Sequence, residues 1–129
     1  MREKELIMKT NEKINFAIAN ILAQIGIPYN ISGSKYLLRA VQLTIEDPSA
    51  VLSITKNLYK PIAKENATKS TNVERAMRHA IEKALRKKKI IALNELFGLN
   101  LYSEFDKPSN GELVALLAQQ IPQLVASYA

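Results

Sequence analysis

Between Lys69 and His79 the sequence places polar residues around an apolar pair in a way that suits the reading of base edges. Val73 and Met77 are four residues apart, one helical turn, and would turn inward together. Asn72, Glu74, Arg75, Arg78 and His79 are then left pointing away. Arginine can bond guanine O6 and N7 in a bidentate way, and glutamate can accept from the amino group of cytosine. Lys69, Ser70 and Thr71 fall where the amides and hydroxyls of a helix start would meet a phosphate. His79 would lie beside the backbone of the same duplex. Glu74 has a second reading: Thr71 and Glu74 have capping-box spacing, and Glu74 stands four residues before Arg78, where the two can pair.

These side chains need a scaffold, and Ile62–Arg78 has the pattern of a helix-turn-helix. Ala63 supplies the small contact on a short first helix, Thr68 to Thr71 the turn, and Val73 with Met77 the inner stripe of the second helix. The rest of the chain is also helical in period. Ile14, Ala17, Ile18, Ile21, Leu22 and Ile25 form a first stripe that Gly26 and Pro28 stop. Tyr36, Leu37, Ala40, Val41, Thr44 and Ile45 form a second, ended by Glu46-Asp47-Pro48. A third stretch holds Val51 to Leu58, with a break and a fresh short helix expected at Pro61. The helix after Thr71 buries Val73, Ala76, Met77, Ala80, Ala84 and Leu85 and dissolves in Lys87-Lys88-Lys89. A short helix near Ile91–Phe97 stops at Gly98, residues 100–107 form a loop, and Ser109 with Glu112 caps a final helix that Pro122 interrupts. The expected fold is all-α, a compact bundle of about six helices containing a helix-turn-helix. Residues 1–10 read as a tail or helix extension and residues 11–129 as the domain.

Composition narrows the function. The 129 residues carry a net charge of +6, 47% hydrophobic and 23% charged residues, and no cysteine. Between Val51 and Ile90 eleven Lys or Arg face three Glu, while the remainder holds seven basic and nine acidic residues. A concentrated positive segment attracts polyanions, because each neutralised phosphate releases counterions. Arg86 to Lys89 either touch phosphate or solubilise a helix end. No thiol chemistry is available, and His79, the single histidine, cannot build a multi-histidine metal site. No glycine loop cradles phosphates, and no apolar run is long enough for a membrane span. These features point away from an enzyme, a cofactor, a metal and a membrane, and toward a cytoplasmic, nucleoid-associated protein.

From about Ile21 to Ile121 the sequence resembles the C-terminal effector domain of the stage-zero sporulation protein A family of response regulators. The resemblance lies in Ile25-Gly-Ile-Pro, Tyr36-Leu-Leu-Arg-Ala, Ser53-Ile-Thr-Lys, Leu58-Tyr, Ile62-Ala-Lys, Leu96-Phe-Gly and Lys107-Pro-Ser-Asn, and above all in Val73-Glu-Arg-Ala-Met-Arg-His-Ala-Ile-Glu. It implies a six-helix domain that binds short boxes such as TGTCGAA, often in tandem head-to-tail pairs, and that activates or represses transcription. It further implies base reading by Glu74, Arg75 and Arg78, and contact of the surface near Phe97 and Leu101 with a sigma factor of RNA polymerase. Apart from the resemblance, Phe97 and Leu101 read as core. The chain departs from the family at Asn72, where a basic residue is usual, and at Asn66, where an apolar one is usual. The phosphoacceptor receiver that opens the family's proteins is not among these residues.

Two functions follow as expectations. The first is a sequence-specific regulator that reads double-stranded DNA through Asn72, Glu74, Arg75 and Arg78 and holds phosphates through Lys69, Ser70, Thr71 and His79, with homodimers forming on tandem sites. The second is a receiver-less interaction module that binds a full-length regulator or a sigma factor. The final apolar helix would pack at home or exchange into a neighbour.

Overall fold

Apolar positions recurring every third or fourth residue fold into six α-helices in the computed structural model, which describes residues 2–128. Met1 and Ala129, the outer ends of the two expected segments, lie outside the described residues. The helices are α1 (Glu3–Gln24), α2 (Ser32–Glu46), α3 (Lys60–Glu65), α4 (Ser70–Arg86), α5 (Ala92–Phe97) and α6 (Asn110–Ser127). A 3₁₀ segment, Pro48–Ser53, and a π-helical turn, Thr55–Tyr59, connect α2 to α3. No strand occurs among the described residues, so the fold is all-α.

Local chemistry explains the joints. Asp47 caps the 3₁₀ segment by accepting from the Ser49 amide at 3.1 Å. The break expected at Pro61 does not occur: the backbone stays helical, and the only change is a wide turn just before the proline, where the Lys60 amide reaches back five residues to Thr55 O. Widening the turn keeps the chain right-handed while sparing the proline ring a clash with the preceding turn. Ser109 caps α6 as expected, its hydroxyl accepting from the Glu112 amide at 3.1 Å. The expected interruption at Pro122 does not occur: α6 runs through it to Ser127. Ile121 is buried beside it and Leu124 and Val125 pack partly on the core, so burial on both sides of the proline offsets its missing amide.

Four of the six helices end by one device. After α3, the Thr68 amide donates to Ala63 O and the Ala67 amide to Lys64 O, with Ala67 left-handed at φ +50. After α4, Lys89 bonds back to Ala84 O and Lys88 to Leu85 O, with Lys88 at φ +58. Both are Schellman endings, in which a left-handed residue lets two amides satisfy carbonyls of the last turn. Gly26 and Gly98 close α1 and α5 in the same left-handed region. A residue with a Cβ is strained there by about 1–2 kcal/mol, so Ala67 and Lys88 carry a cost that the glycines avoid.

The core gathers Ile18, Leu22, Leu37, Val41, Leu58, Ile62, Met77, Ile81, Leu113 and Leu117 from five of the helices and the π turn. Ile81 is fully buried, whereas Ala76 and Leu85, expected in the buried stripe of α4, are only partly buried. The tightest joint is between α2 and α4. A Cβ built on Gly33 would stand 2.2 Å from the Ala76 carbonyl oxygen and 2.7 Å from the Ala80 Cβ. Glycine on one helix and alanines on the other let the two backbones meet. Across α2, Arg39 forks onto the Glu65 carboxylate with contacts of 2.9 and 3.0 Å. Its other end reaches Gln42, which in turn bonds Asn15 of α1. Helix α2 thereby holds α1, α3 and α4 in one frame.

Two substitutions test this account. Gly33→Ala forces α2 from α4 and is expected to cost at least about 2 kcal/mol in urea unfolding, the range of an overpacked core; an unfolding midpoint equal to the parent's contradicts the close approach. Ala67→Gly relieves the left-handed strain and is expected to add about 0.5–1 kcal/mol, read as a small rise in Tm.

Candidate nucleic-acid interface

The start of α4 is set by the turn that precedes it. Asn66 ends α3, Ala67 is left-handed, and Lys69 at φ −95, ψ 149 leads into the helix, so the turn spans residues 66–69 rather than Thr68 to Thr71. With Ser70 the first helical residue, Thr71 lies inside the first turn and no side chain caps the helix. The expected capping box of Thr71 and Glu74 is therefore not formed. The one side-chain tie from α4 to the turn comes from Asn72, whose Nδ2 donates to Thr68 Oγ1 at 3.1 Å. Asn66 uses its side chain to bond Ile62 O at 2.7 Å, which closes the end of α3 where an apolar residue is usual in the resembling family.

Burial of Val73, Met77, Ala80, Ile81 and Ala84 fixes which side of α4 faces out. Arg75 stands opposite that stripe and is exposed, with Thr71, Asn72, His79 and Arg86 exposed around it and Lys69 exposed at the helix entry. Ser70, at the first helical position, is half-buried. Among the described residues the ion pairs involve the cations Arg39, Arg78 and Lys107, so Lys69 and Arg75 carry unneutralised charge. Lys56, Lys60 and Lys64 add three exposed lysines at four-residue steps along the π turn and α3. The positive excess is thus presented on the two consecutive helices and at the turn between them.

Glu74 and Arg78 share one flank of this face and are half-exposed. The Arg78 Nε donates to Glu74 Oε1 at 3.0 Å, and Nη1 stands 3.6 Å from Glu82 Oε1. Lys107 Nζ donates to the same Glu82 oxygen at 2.9 Å. Lys107, with Arg78 near, holds the Glu82 carboxyl below the usual carboxylate range. The pairing reading of Glu74 is thus realised and the capping reading is not. Neither arginine is tucked into the interior.

What carries this flank is a buried polar clamp that sequence patterning missed. Asn110, the first residue of α6, is 7% exposed and its Nδ2 donates to the Tyr59 hydroxyl at 3.0 Å and to the Glu74 carbonyl at 3.1 Å. Burial pushes the Tyr59 phenol up, and the Asn110 bond partly offsets that. Three elements distant in sequence meet at one amide, and only the sequence signal of a capped helix start marks the place.

Phe97 and Leu101 belong to α5 and the loop that follows it. Phe97 packs partly against the core, while Leu101 is 57% exposed. The loop is held by Asn94, whose Oδ1 accepts from the Leu101 and Tyr102 amides, each at 3.0 Å, and whose Nδ2 donates to Tyr102 O. Among the described residues no group of three or more His, Cys, Asp or Glu could hold a metal ion, and no helix is long and apolar enough to cross a membrane.

The chain matches the family model described as "Sporulation initiation factor Spo0A C terminal" over residues 18–121. The match covers most of the chain and includes α2 to α5, the turn before α4, and the start of α6.

Asn110→Ala removes the donor from a buried hydroxyl and a partly buried carbonyl, and is expected to cost about 1–3 kcal/mol. Tyr59→Phe should cost less, and the double variant should cost less than the two singles added together. Chemical denaturation of the four proteins measures this; strict additivity would mean that the clamp does not couple the elements.

Proposed function

The chain belongs to the family of Spo0A C-terminal domains, the DNA-binding effector domains of sporulation response regulators, and on that footing we propose that α4 enters the major groove and reads a short box of the TGTCGAA type. In this reading α3, the turn at residues 66–69 and α4 act as a helix-turn-helix, with α4 as the recognition helix. The carrying observation is Arg75: exposed, unpaired among the described residues, and opposite the buried stripe of its own helix. A free guanidinium in that position can take guanine O6 and N7 at no cost in broken ion pairs.

The other residues have graded roles. Arg78 offers a second fork to guanine, and Glu74, bonded to the Arg78 Nε, serves as its neighbour and as an acceptor for a cytosine amino group. Asn72 is exposed, but its amide already bonds Thr68, so its reading of a base requires exchange of that bond. Lys69, Ser70 and Thr71 meet phosphate at the start of α4, where amides are free of helical acceptors, and His79 lies beside the backbone. The lysines at 56, 60 and 64 extend this contact along the duplex. Contact with a sigma factor is assigned to the Phe97–Leu101 region, where Leu101 supplies an exposed apolar side chain on a loop that Asn94 fixes. Homodimers form on tandem boxes.

The competing reading is an interaction module that binds a full-length regulator or a sigma factor without specific DNA binding, and the occupied Asn72 amide favours it. Affinity for a TGTCGAA-type duplex against a scrambled one, at matched salt, separates the two. Arg75→Ala is expected to lose about 1–3 kcal/mol on the box and to relax base choice at one position. Lys69→Ala should weaken both duplexes alike and lower the salt slope by about one. Equal binding of both duplexes by the parent protein would sink base readout and leave the interaction module.

A further inference from the structure

We propose that Glu82 and Lys107, which do not themselves read bases, are positioning residues that set the pose of Arg78 and thereby the base preference at its position. The proposal rests on base readout by α4. Glu74, Arg78 and Glu82 stand at four-residue steps on that helix, so one guanidinium lies between two carboxylates. The two holds are unequal. Glu74 bonds the Nε at 3.0 Å, which fixes the stem of the guanidinium and leaves its terminal nitrogens available. Glu82 reaches Nη1 at only 3.6 Å, beyond hydrogen-bond length.

The Glu82 oxygen that faces Nη1 is the one that accepts from Lys107 at 2.9 Å. Lys107 thus occupies the carboxylate that would otherwise close on the Arg78 fork. Its backbone leads into buried Pro108 and the Ser109 cap of α6, so the ammonium is delivered from an anchored segment of another element. The four groups sum to zero charge, so Glu82 does not stand as a free negative charge against approaching phosphates. With Lys107 removed, Glu82 draws Nη1 along the helix axis, and the fork can no longer present two nitrogens to guanine O6 and N7.

The test is a double-mutant cycle on duplexes labelled for fluorescence anisotropy: a TGTCGAA-type box, a scrambled sequence, and boxes substituted one base pair at a time. Lys107→Met is expected to lose about tenfold on the box and much less on the scrambled duplex, so that the ratio of the two falls. Glu82→Gln combined with Lys107→Met should restore the ratio, because the competing carboxylate is gone, and Lys107→Arg should retain it. The single-substitution series should lose discrimination at the same base pair in Lys107→Met as in Arg78→Ala. Thermal melts of each variant separate a loss of fold from a loss of pose; all four side chains are partly exposed, and the folded fraction enters every affinity.

An unchanged ratio in Lys107→Met overturns the proposal. So does an equal loss on both duplexes, or a loss that Glu82→Gln fails to restore, since either would make Lys107 a plain phosphate contact. If the unaltered protein shows no preference for the box, base readout itself falls, and this inference falls with it; a preference that Lys107→Met leaves intact removes the inference alone.

Discussion

The contact on which the rest of the architecture depends is the approach of two backbones at Gly33. A single added methyl would lie 2.2 Å from the Ala76 carbonyl. Ala80 continues the flat surface one turn on, so α4 lies down on α2 along its small residues and cannot roll. With the roll fixed, Val73, Met77, Ile81 and Ala84 fill the interior and Arg75 is driven outward. From the same helix α2, Arg39 grips Glu65 at the end of α3. The geometry between α3 and α4 is thus set twice, by a steric limit from below and by an ion pair at the side. The steric limit is the stronger of the two, because a half-exposed ion pair is worth at most about 1 kcal/mol.

The electrostatic layout divides the outward face of α4. Arg75 and Lys69 form no ion pair among the described residues, and their positive charge is left to attract a polyanion. On the neighbouring flank, charges are matched one for one, so the groups are distinguished by their geometry and not by their sum. In the proposed reading both sides meet base edges, Arg75 as an unpaired charge and Arg78 as one held between carboxylates. The long-range attraction of the first weakens with salt as counterions compete, while the second depends on short contacts that are lightly screened.

Much of this could be read from residue order. The stripe of Val73 and Met77, the stops at Gly26 and Gly98, and the Ser109 cap are local signals, and each falls where spacing placed it. The failures share a physical cause. The turn before α4 was displaced because the left-handed position is filled by Ala67, which carries none of the glycine signal that marks such a site. Pro122 reads as a break because propensity speaks for the local chain, whereas Ile121 and its neighbours are held by tertiary burial. Gly33, Asn110 and the pair of Glu82 with Lys107 act only through partners far away in sequence, and no period or spacing announces those partnerships. The groups that present the outward face were legible; the groups that brace it were not.

The left-handed alanine and lysine at the two boundaries of α4 have an evolutionary meaning. A residue tolerant of that region would return about 0.5–1 kcal/mol at such a site in a molecule whose net stability is expected to be only about 5–15 kcal/mol. Alanine codons become glycine codons by one nucleotide change, and lysine codons become asparagine codons by one, asparagine being tolerant of that backbone region. Mutational headroom is therefore stored next to the surface proposed to read DNA. A lineage could accept a destabilising change on the outer side of α4 and recover part of the loss two or three residues outside the helix, without disturbing the interior.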